Sequence, residues 1–295
     1  MRQYRQMSSG TPVVIRHADV VQFQAAAHDF LMTAEAENNL ILGIIDGLLA
    51  GRDVTPDGSG SSEQPLLVTV GMQPVELVAV RTPPHKLQIS RGTRRAAEEL
   101  ARFLATEKLP GTGGEAGTVG VFVEAWRRVT RQSVHEGMRL LIYQLRTVLA
   151  PISVPGKSRE ATLEDANLLA GWHDSFFAEI FPERSFASSQ RVIEGLVRTH
   201  GIFVWEHGQV VSMAARVAVT PNGERIGLVY TPPEFRQNGY AGACVAALSQ
   251  TVLDTGRSSC FLFTDRANPT SNSIYQRIGY EPVSEFDDYW FTRDD

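Results

Sequence analysis

Two segments of the chain bring together residue types at spacings that suit chemistry. The first is Gly-Leu-Val-Tyr-Thr-Pro-Pro-Glu-Phe-Arg-Gln-Asn-Gly-Tyr-Ala, from Gly227 to Ala241. A strand that ends near Thr231 cannot continue through Pro232 and Pro233, and Arg236-Gln237-Asn238-Gly239-Tyr240-Ala241 turns the chain into a helix. A helix opening leaves backbone N–H groups unpaired and carries the positive end of the macrodipole. Gly239 and Ala241 have no bulky side chain, so a phosphate can come close to those amides. The segment reads as an anion cradle built mostly from main chain, although a plain strand-to-helix turn has the same six-residue signature. The second segment is Asn268-Pro269-Thr270-Ser271-Asn272-Ser273-Ile274-Tyr275-Gln276-Arg277-Ile278-Gly279-Tyr280-Glu281-Pro282-Val283. Asn268 and Asn272 suit capping or bridging polar ligand groups. On a helix, Asn272 and Tyr275 are three apart and share a face. Read without its flanking Asn and Gly, Tyr275 is better taken as a core tyrosine of a short helix, and with them the catalytic role is favoured.

The elements that must position these segments follow from the apolar pattern. At 295 residues the chain is about twice the ~150-residue length of one domain, and a Pro/Gly-containing stretch at 150–157 divides it into residues 1–150 and 151–295. In the first part, 13–16 reads as a strand, and a helix capped by Asp19 follows. A second helix runs over 35–49, and strands lie at 66–70, 76–81 and 86–90, with a surface loop at 51–64. A helix at 94–106 is followed by a Gly-rich loop at 109–117, a buried strand at 119–123, a short helix at 124–129 and a strand at 138–145. In the second part the order restarts: a helix capped by Thr162, a helix at 188–199, a hairpin at 202–206 and 210–219, and a strand at 225–231. A helix at 240–253, a buried strand at 260–264, a helix at 271–278 and a last strand around 289–291 complete it. The order of elements repeats; the sequence does not.

Arg236-x-x-Gly239-x-Ala241 after a strand, together with the Asn-Pro-x-Ser-Asn-x-x-Tyr-x-x-x-Gly-Tyr-x-x-Val run from Asn268 to Val283, resembles the GCN5-related N-acetyltransferase (GNAT) superfamily. The resemblance is specific over 202–291 and is one of element order elsewhere. It implies an α/β (α+β) fold of two GNAT-like domains, each a mixed, mostly antiparallel twisted sheet flanked by helices. Residues 1–150 would be a degenerate copy and 151–295 the acyl-CoA-binding catalytic domain. The co-substrate implied is acetyl-CoA. The amides of Gln237, Asn238, Gly239, Tyr240 and Ala241 would hold its pyrophosphate, and the strand edge at Val229, Tyr230 and Thr231 would pair with the pantetheine arm as an added strand does. Asn268 would hydrogen-bond the same arm, with Asn272 beside the arm or the phosphates. Arg236 would add charge near the diphosphate or 3′-phosphate, or be a solvated surface residue.

By the same resemblance Tyr275 is the general acid, protonating the thiolate expelled when a neutral amine of a small molecule or peptide attacks the thioester in a ternary complex. With an ordinary phenol near ~10 and a thiol near ~8.5, that transfer is uphill by about 2 kcal/mol. An amide near Val229 or Tyr230 would face the developing oxyanion. Glu206, His207, Glu224 and Glu234 are candidate bases, with none preferred. The first half has no Arg-x-x-Gly-x-Gly/Ala cradle at Arg91-Gly92-Thr93 and no Asn-Pro run with its tyrosine over 122–131. A non-catalytic acyl-CoA-binding or sensing module, or an enzyme using a longer acyl donor, remains an alternative.

Composition narrows the rest. Hydrophobic residues at 43% and charged residues at 21% describe a folded globular chain. A net charge of −5 argues against general nucleic-acid binding. Cys244 and Cys260, the only two cysteines, lie in apolar runs and read as reduced packing residues. The seven histidines show no metal-ligand spacing, so no metal is expected. No stretch reaches the ~18 apolar residues of a membrane helix, and no apolar segment follows Arg2 and Arg5 as in a secretory signal. A cytoplasmic protein that binds neither membrane nor nucleic acid is the expectation; oligomeric state and acceptor are not legible.

Overall fold

The computed structural model describes residues 11–51, 63–149, 153–181 and 188–292. The N-terminal ten residues, most of the loop at 51–64 and the first residues of the dividing stretch at 150–157 lie outside them. The first half contains β1 (Val14–Arg16), α1 (Val20–Met32), α2 (Asn39–Leu49), β2 (Leu66–Val70), β3 (Leu77–Arg81), β4 (Leu87–Ile89), α3 (Arg94–Phe103), β5 (Gly111–Glu115), α4 (Ala116–Thr130) and β6 (Ser133–Leu145). The second contains β7 (Lys157–Glu160), α5 (Ala166–Ile180), α6 (Ser189–Arg198), β8 (Ile202–Glu206), β9 (Val210–Val219), β10 (Gly223–Tyr230), α7 (Tyr240–Asp254), β11 (Ser259–Asp265), α8 (Pro269–Arg277) and β12 (Glu281–Thr292).

The strands form one twelve-stranded sheet in the order β1-β2-β3-β4-β5-β12-β6-β11-β10-β9-β8-β7. Only β4–β5 and β10–β11 run parallel; the other neighbours are antiparallel. The mostly antiparallel sheet with flanking helices is the expected class, and the two halves are joined by an exchange of their last strands. β6 of the first half lies between β11 and β12, while β12 of the second lies between β5 and β6. Each of these long strands gains two partners, so neither half ends in an open edge at the centre. The cores depend on the exchange. Trp126 of α4 stacks between Phe122 and Phe291 of β12, at 5.7 and 5.2 Å between ring centres, and Tyr143 and Leu145 of β6 are buried among the residues of α7 and α8.

The segment 109–130 differs from the reading of its sequence. The glycine run is β5 rather than a loop, and residues 119–129 belong to the single helix α4. The reason is close approach: a Cβ on Gly111 would sit 2.1 Å from the Tyr289 carbonyl oxygen, and one on Gly114 2.2 Å from that of Ile89. Only glycine lets β5 fit between β4 and β12. Val119, Phe122, Val123 and Trp126 then recur at helical spacing and are buried on one face. α2 packs on β2 and β3 and also crosses to β9, where Glu35 accepts hydrogen bonds from Thr220 Oγ1, Asn222 N and Asn222 Nδ2 at 2.6, 2.8 and 3.0 Å.

Candidate active site

β10 and β11 are paired only from Gly223 to Arg225, opposite Ser259 to Phe261. Beyond Arg225 the edge of β10 is free of β11, and the two strands open into a cleft. On its other side β10 bulges against β9: the register shifts between Gly227 and Tyr230, and Leu228 has φ +49. A β-region strand with a left-handed leucine is strained, and the bulge turns the amides at Leu228 and Val229 out of the regular ladder. Val229 packs against the apolar cluster that contains Tyr275, so the bulge and the tyrosine share one end of the cleft.

The mouth of α7 lies at the end of this strand. Gln237 (φ +66) and Gly239 (φ +80) are both left-handed, a turn that points successive N–H groups to one side. Asn238 Nδ2 holds the turn by donating to the carbonyls of Phe235 and Arg236 at 3.1 and 3.0 Å. Gly239 is the N-cap and supplies no side-chain bond. The first helical amide to find a carbonyl is that of Ala243, on Gly239 O at 3.0 Å, so the amides of Tyr240, Ala241 and Gly242 precede any intrahelical partner. Residues 236–239 are exposed. Tyr240 is buried, and its hydroxyl is 2.8 Å from His207 Nδ1, which ties the β8–β9 turn to the mouth.

Across the cleft, Asn268 caps α8: its Oδ1 accepts from Ser271 N at 3.0 Å, leaving the side-chain amide as the group for a ligand. Asn272 Nδ2 donates to Asp265 O at 3.2 Å, whereas its Oδ1 is enclosed with no hydrogen-bond partner among the described residues. A buried carbonyl oxygen in that state awaits a donor. Tyr275 is buried beside Tyr143 and Tyr280, with ring centres at 6.4 and 6.0 Å, and its hydroxyl has no hydrogen bond among the described residues. Burial pushes its pKa up to about 12, so it is protonated at neutral pH.

Other sequence candidates sit differently. Tyr230 turns its ring toward Trp172 of α5, 6.1 Å between centres, and its carbonyl accepts from Ser212 Oγ at 3.1 Å. Thr231 Oγ1 is 2.8 Å from the same serine hydroxyl. Arg236 turns away from the α7 mouth: Nε donates to Thr231 O at 2.9 Å and Nη2 to Glu179 Oε1 of α5 at 2.6 Å. Glu179 and Trp172 are partners of the site that sequence reading missed; their signal was limited to the amphipathic face of α5. Of the candidate bases, Glu206 is bonded to Arg159 at 2.5 Å, which holds its carboxyl below the usual range. Glu224 lies between Arg216 and Arg257 at the paired end of β10, and His207 is engaged by Tyr240. None of these three is a free base beside the bulge, and Glu234 is exposed on the short turn Pro233–Phe235. No group of three or more His, Cys, Asp or Glu residues converges as a metal site among the described residues, and no described helix is long and apolar enough to cross a membrane.

A helix mouth left uncapped beside two splayed parallel strands, within this order of elements, makes the chain one with the GNAT fold. Residues 201–291 match the model of the FR47-like protein family. Among solved structures, a Drosophila protein shares the fold at TM-score 0.67 and 13% identity, covering 96% of this chain and 100% of its own. A GCN5-related N-acetyltransferase from Sphaerobacter thermophilus aligns at TM-score 0.64 and 14% identity, covering 95% and 96%. A tandem GNAT protein from the clavulanic acid biosynthesis pathway aligns at TM-score 0.52 and 9% identity, covering 96% and 100%. At these identities the likeness is one of fold. No curated protein matches the chain.

Proposed function

We propose that the chain is an N-acetyltransferase that moves the acetyl group of acetyl-CoA to an amine, with the site in residues 151–295. The observation that carries this reading is the uncapped amide cluster at Gln237–Ala241, at the end of the strand whose Val229 packs in the same cluster as Tyr275. The diphosphate of acetyl-CoA sits on those amides, where N–H groups and the helix dipole both favour an anion. The pantetheine arm lies along β10 past Val229, with the Asn268 side-chain amide donating to an arm carbonyl and Asn272 Oδ1 accepting from an arm N–H. The donor and acceptor left over on these two asparagines match the two polarities of an amide-containing arm. Arg236 acts on the site through Glu179 and Thr231, holding the strand end against α5 rather than contacting phosphate.

In the reaction a neutral amine attacks the thioester carbonyl, the C–N bond forms, the C–S bond breaks and the sulfur leaves with the electron pair. An amide at the bulge faces the developing oxyanion. The burial of Tyr275 changes the energetics read from sequence. Full transfer from a phenol at about 12 to a thiolate whose acid is near ~8.5 is uphill by roughly 5 kcal/mol rather than ~2. Tyr275 therefore acts by hydrogen-bonding the departing sulfur, and the amine's surplus proton leaves to water. Holding amine and thioester together supplies much of the rate. Calorimetric titration with acetyl-CoA, followed by an amine screen read by free-thiol release, tests the reading. Binding with turnover supports it. Binding without turnover on any amine leaves an acyl-CoA-binding module, and no heat with any coenzyme A species sinks both.

A further inference from the structure

Side chains alternate along β10. Glu224 and Ile226 face α7, and Arg225 and Gly227 face the opposite side, where α2 crosses from the first half. Glu224 has two arginines, Arg216 at 3.7 Å and Arg257 at 3.8 Å. Arg225 has no carboxylate at ion-pair distance among the described residues. Its Nη1 makes one long hydrogen bond, 3.4 Å, to the neutral Oδ1 of Asn39 at the start of α2, and its guanidinium carbon lies 5.8 Å from the centre of the Phe263 ring. Glu35, which precedes α2, is held by Thr220 and Asn222. The side chain keeps some solvent contact, yet the protein crowds it enough that desolvation alone lowers its pKa to about 10, still charged at neutral pH. A guanidinium offers five N–H donors, and most of these have no acceptor among the described residues. A crowded cation without a counter-charge is costly unless something completes it.

Its place on the strand says what that partner is. Arg225 lies four residues before Val229 on β10, on the face away from α7, whereas Val229, beyond the left-handed Leu228, packs with Tyr275 on the α7 side. Gly227, the next residue on the Arg225 face, has no side chain, and past it the bulge keeps Leu228 and Tyr230 on that same side. A molecule that approaches the bulge from that side has Arg225 in line with it along the strand. The planar fork of a guanidinium suits a carboxylate in two-point contact. We propose that Arg225 binds a carboxylate of the acceptor, so that the amine acetylated belongs to an amino acid or another amine that also carries a carboxylate. This rests on the acetyl-transfer reading above.

The test compares matched amines with acetyl-CoA, by thiol release: lysine with cadaverine, phenylalanine with phenethylamine, β-alanine with ethylamine. The carboxylate-bearing member of at least one pair is expected to have a kcat/KM at least about 10-fold higher, and Arg225→Gln to raise its KM at least about 10-fold while kcat changes little. Arg225→Lys recovers part of the loss. Because the arginine has no ion-pair partner among the described residues, Arg225→Gln is expected to melt at the same temperature as the wild type or higher, and acetyl-CoA affinity stays the same. Equal or better use of the decarboxylated amines, acetylation of neither member of any pair, or an unchanged KM in Arg225→Gln overturns the proposal. So does a sharp fall in melting temperature, which would make Arg225 structural. If wild-type protein binds acetyl-CoA and shows carboxylate indifference, only this assignment fails; if it binds no acetyl-CoA, the acetyl-transfer reading fails and this one with it.

Discussion

The two halves place a helix after a parallel-paired strand in the same way and finish the helix mouth in opposite ways. At α3, Thr93 is the N-cap in extended backbone (φ −74), and its hydroxyl oxygen accepts from Ala96 N at 3.1 Å and donates to Glu76 Oε2 at 2.8 Å. Gly92 N donates to Thr118 Oγ1 at 3.0 Å, which joins the α3 mouth to α4. α4 is capped by Glu115, which accepts from Gly117 N, Thr118 N and Thr118 Oγ1; although burial opposes it, these bonds hold the carboxyl below its usual range. At α7 the cap is a left-handed glycine with no side chain to give. The strands follow suit. β4 stays paired with β5 through Ile89, whereas β10 leaves β11 after Arg225. The lesson is that what a cap omits decides whether a helix N-terminus stays open to an outside group. A threonine or glutamate satisfies the orphan amides from within, and glycine leaves them to an outside anion.

Four variants break or sharpen this contrast. Gly239→Asp places an internal anion at the α7 mouth, in a left-handed position that aspartate tolerates. Acetyl-CoA affinity measured by calorimetry is expected to fall by at least about 100-fold, because the added carboxylate both caps the amides and repels the diphosphate. Tyr275→Phe keeps the ring packed and removes the hydrogen bond to sulfur. A drop in kcat of about 10²-fold is expected, with acetyl-CoA affinity within about twofold; an unchanged kcat would remove the tyrosine from the reaction. Thr93→Ala takes away the α3 cap, lowering stability by about 1 kcal/mol, or roughly 2–4 °C in melting temperature. Titration of that variant should still give one acetyl-CoA per chain, since β4 and β5 remain zipped beside the mouth. The smallest effect is expected for Arg236→Ala, less than about threefold on acetyl-CoA affinity, because its guanidinium is engaged by Thr231 and Glu179. A loss above tenfold would return Arg236 to the phosphate.

Much of the second half was legible locally. Pro232-Pro233 ended a strand, Gly239 opened a helix, Asn268 and Gly279 bracketed α8, and each assignment needed only residues a few positions apart. The glycine run of β5 was not legible, because its reason lies in carbonyls of Tyr289 and Ile89 that sequence spacing does not bring near. Nor was the exchange of β6 and β12. It is marked by Asp288, which accepts from Met138 N and pairs with Lys86 at 2.6 Å across 202 positions. Arg236 read as a phosphate ligand or a surface residue until Glu179, 57 positions away, took its charge.

What the residues alone determined is the chemistry of the turn and caps, since backbone freedom at Gly239, the missing N–H of two prolines and the donor set of Asn268 are properties of single side chains and their immediate neighbours. What only the folded molecule decided is which charges are matched and which are left over. Glu179 neutralises Arg236, no described residue neutralises Arg225, and burial lifts Tyr275, because desolvation and pairing depend on distances between groups that the chain brings together only when the shared sheet closes.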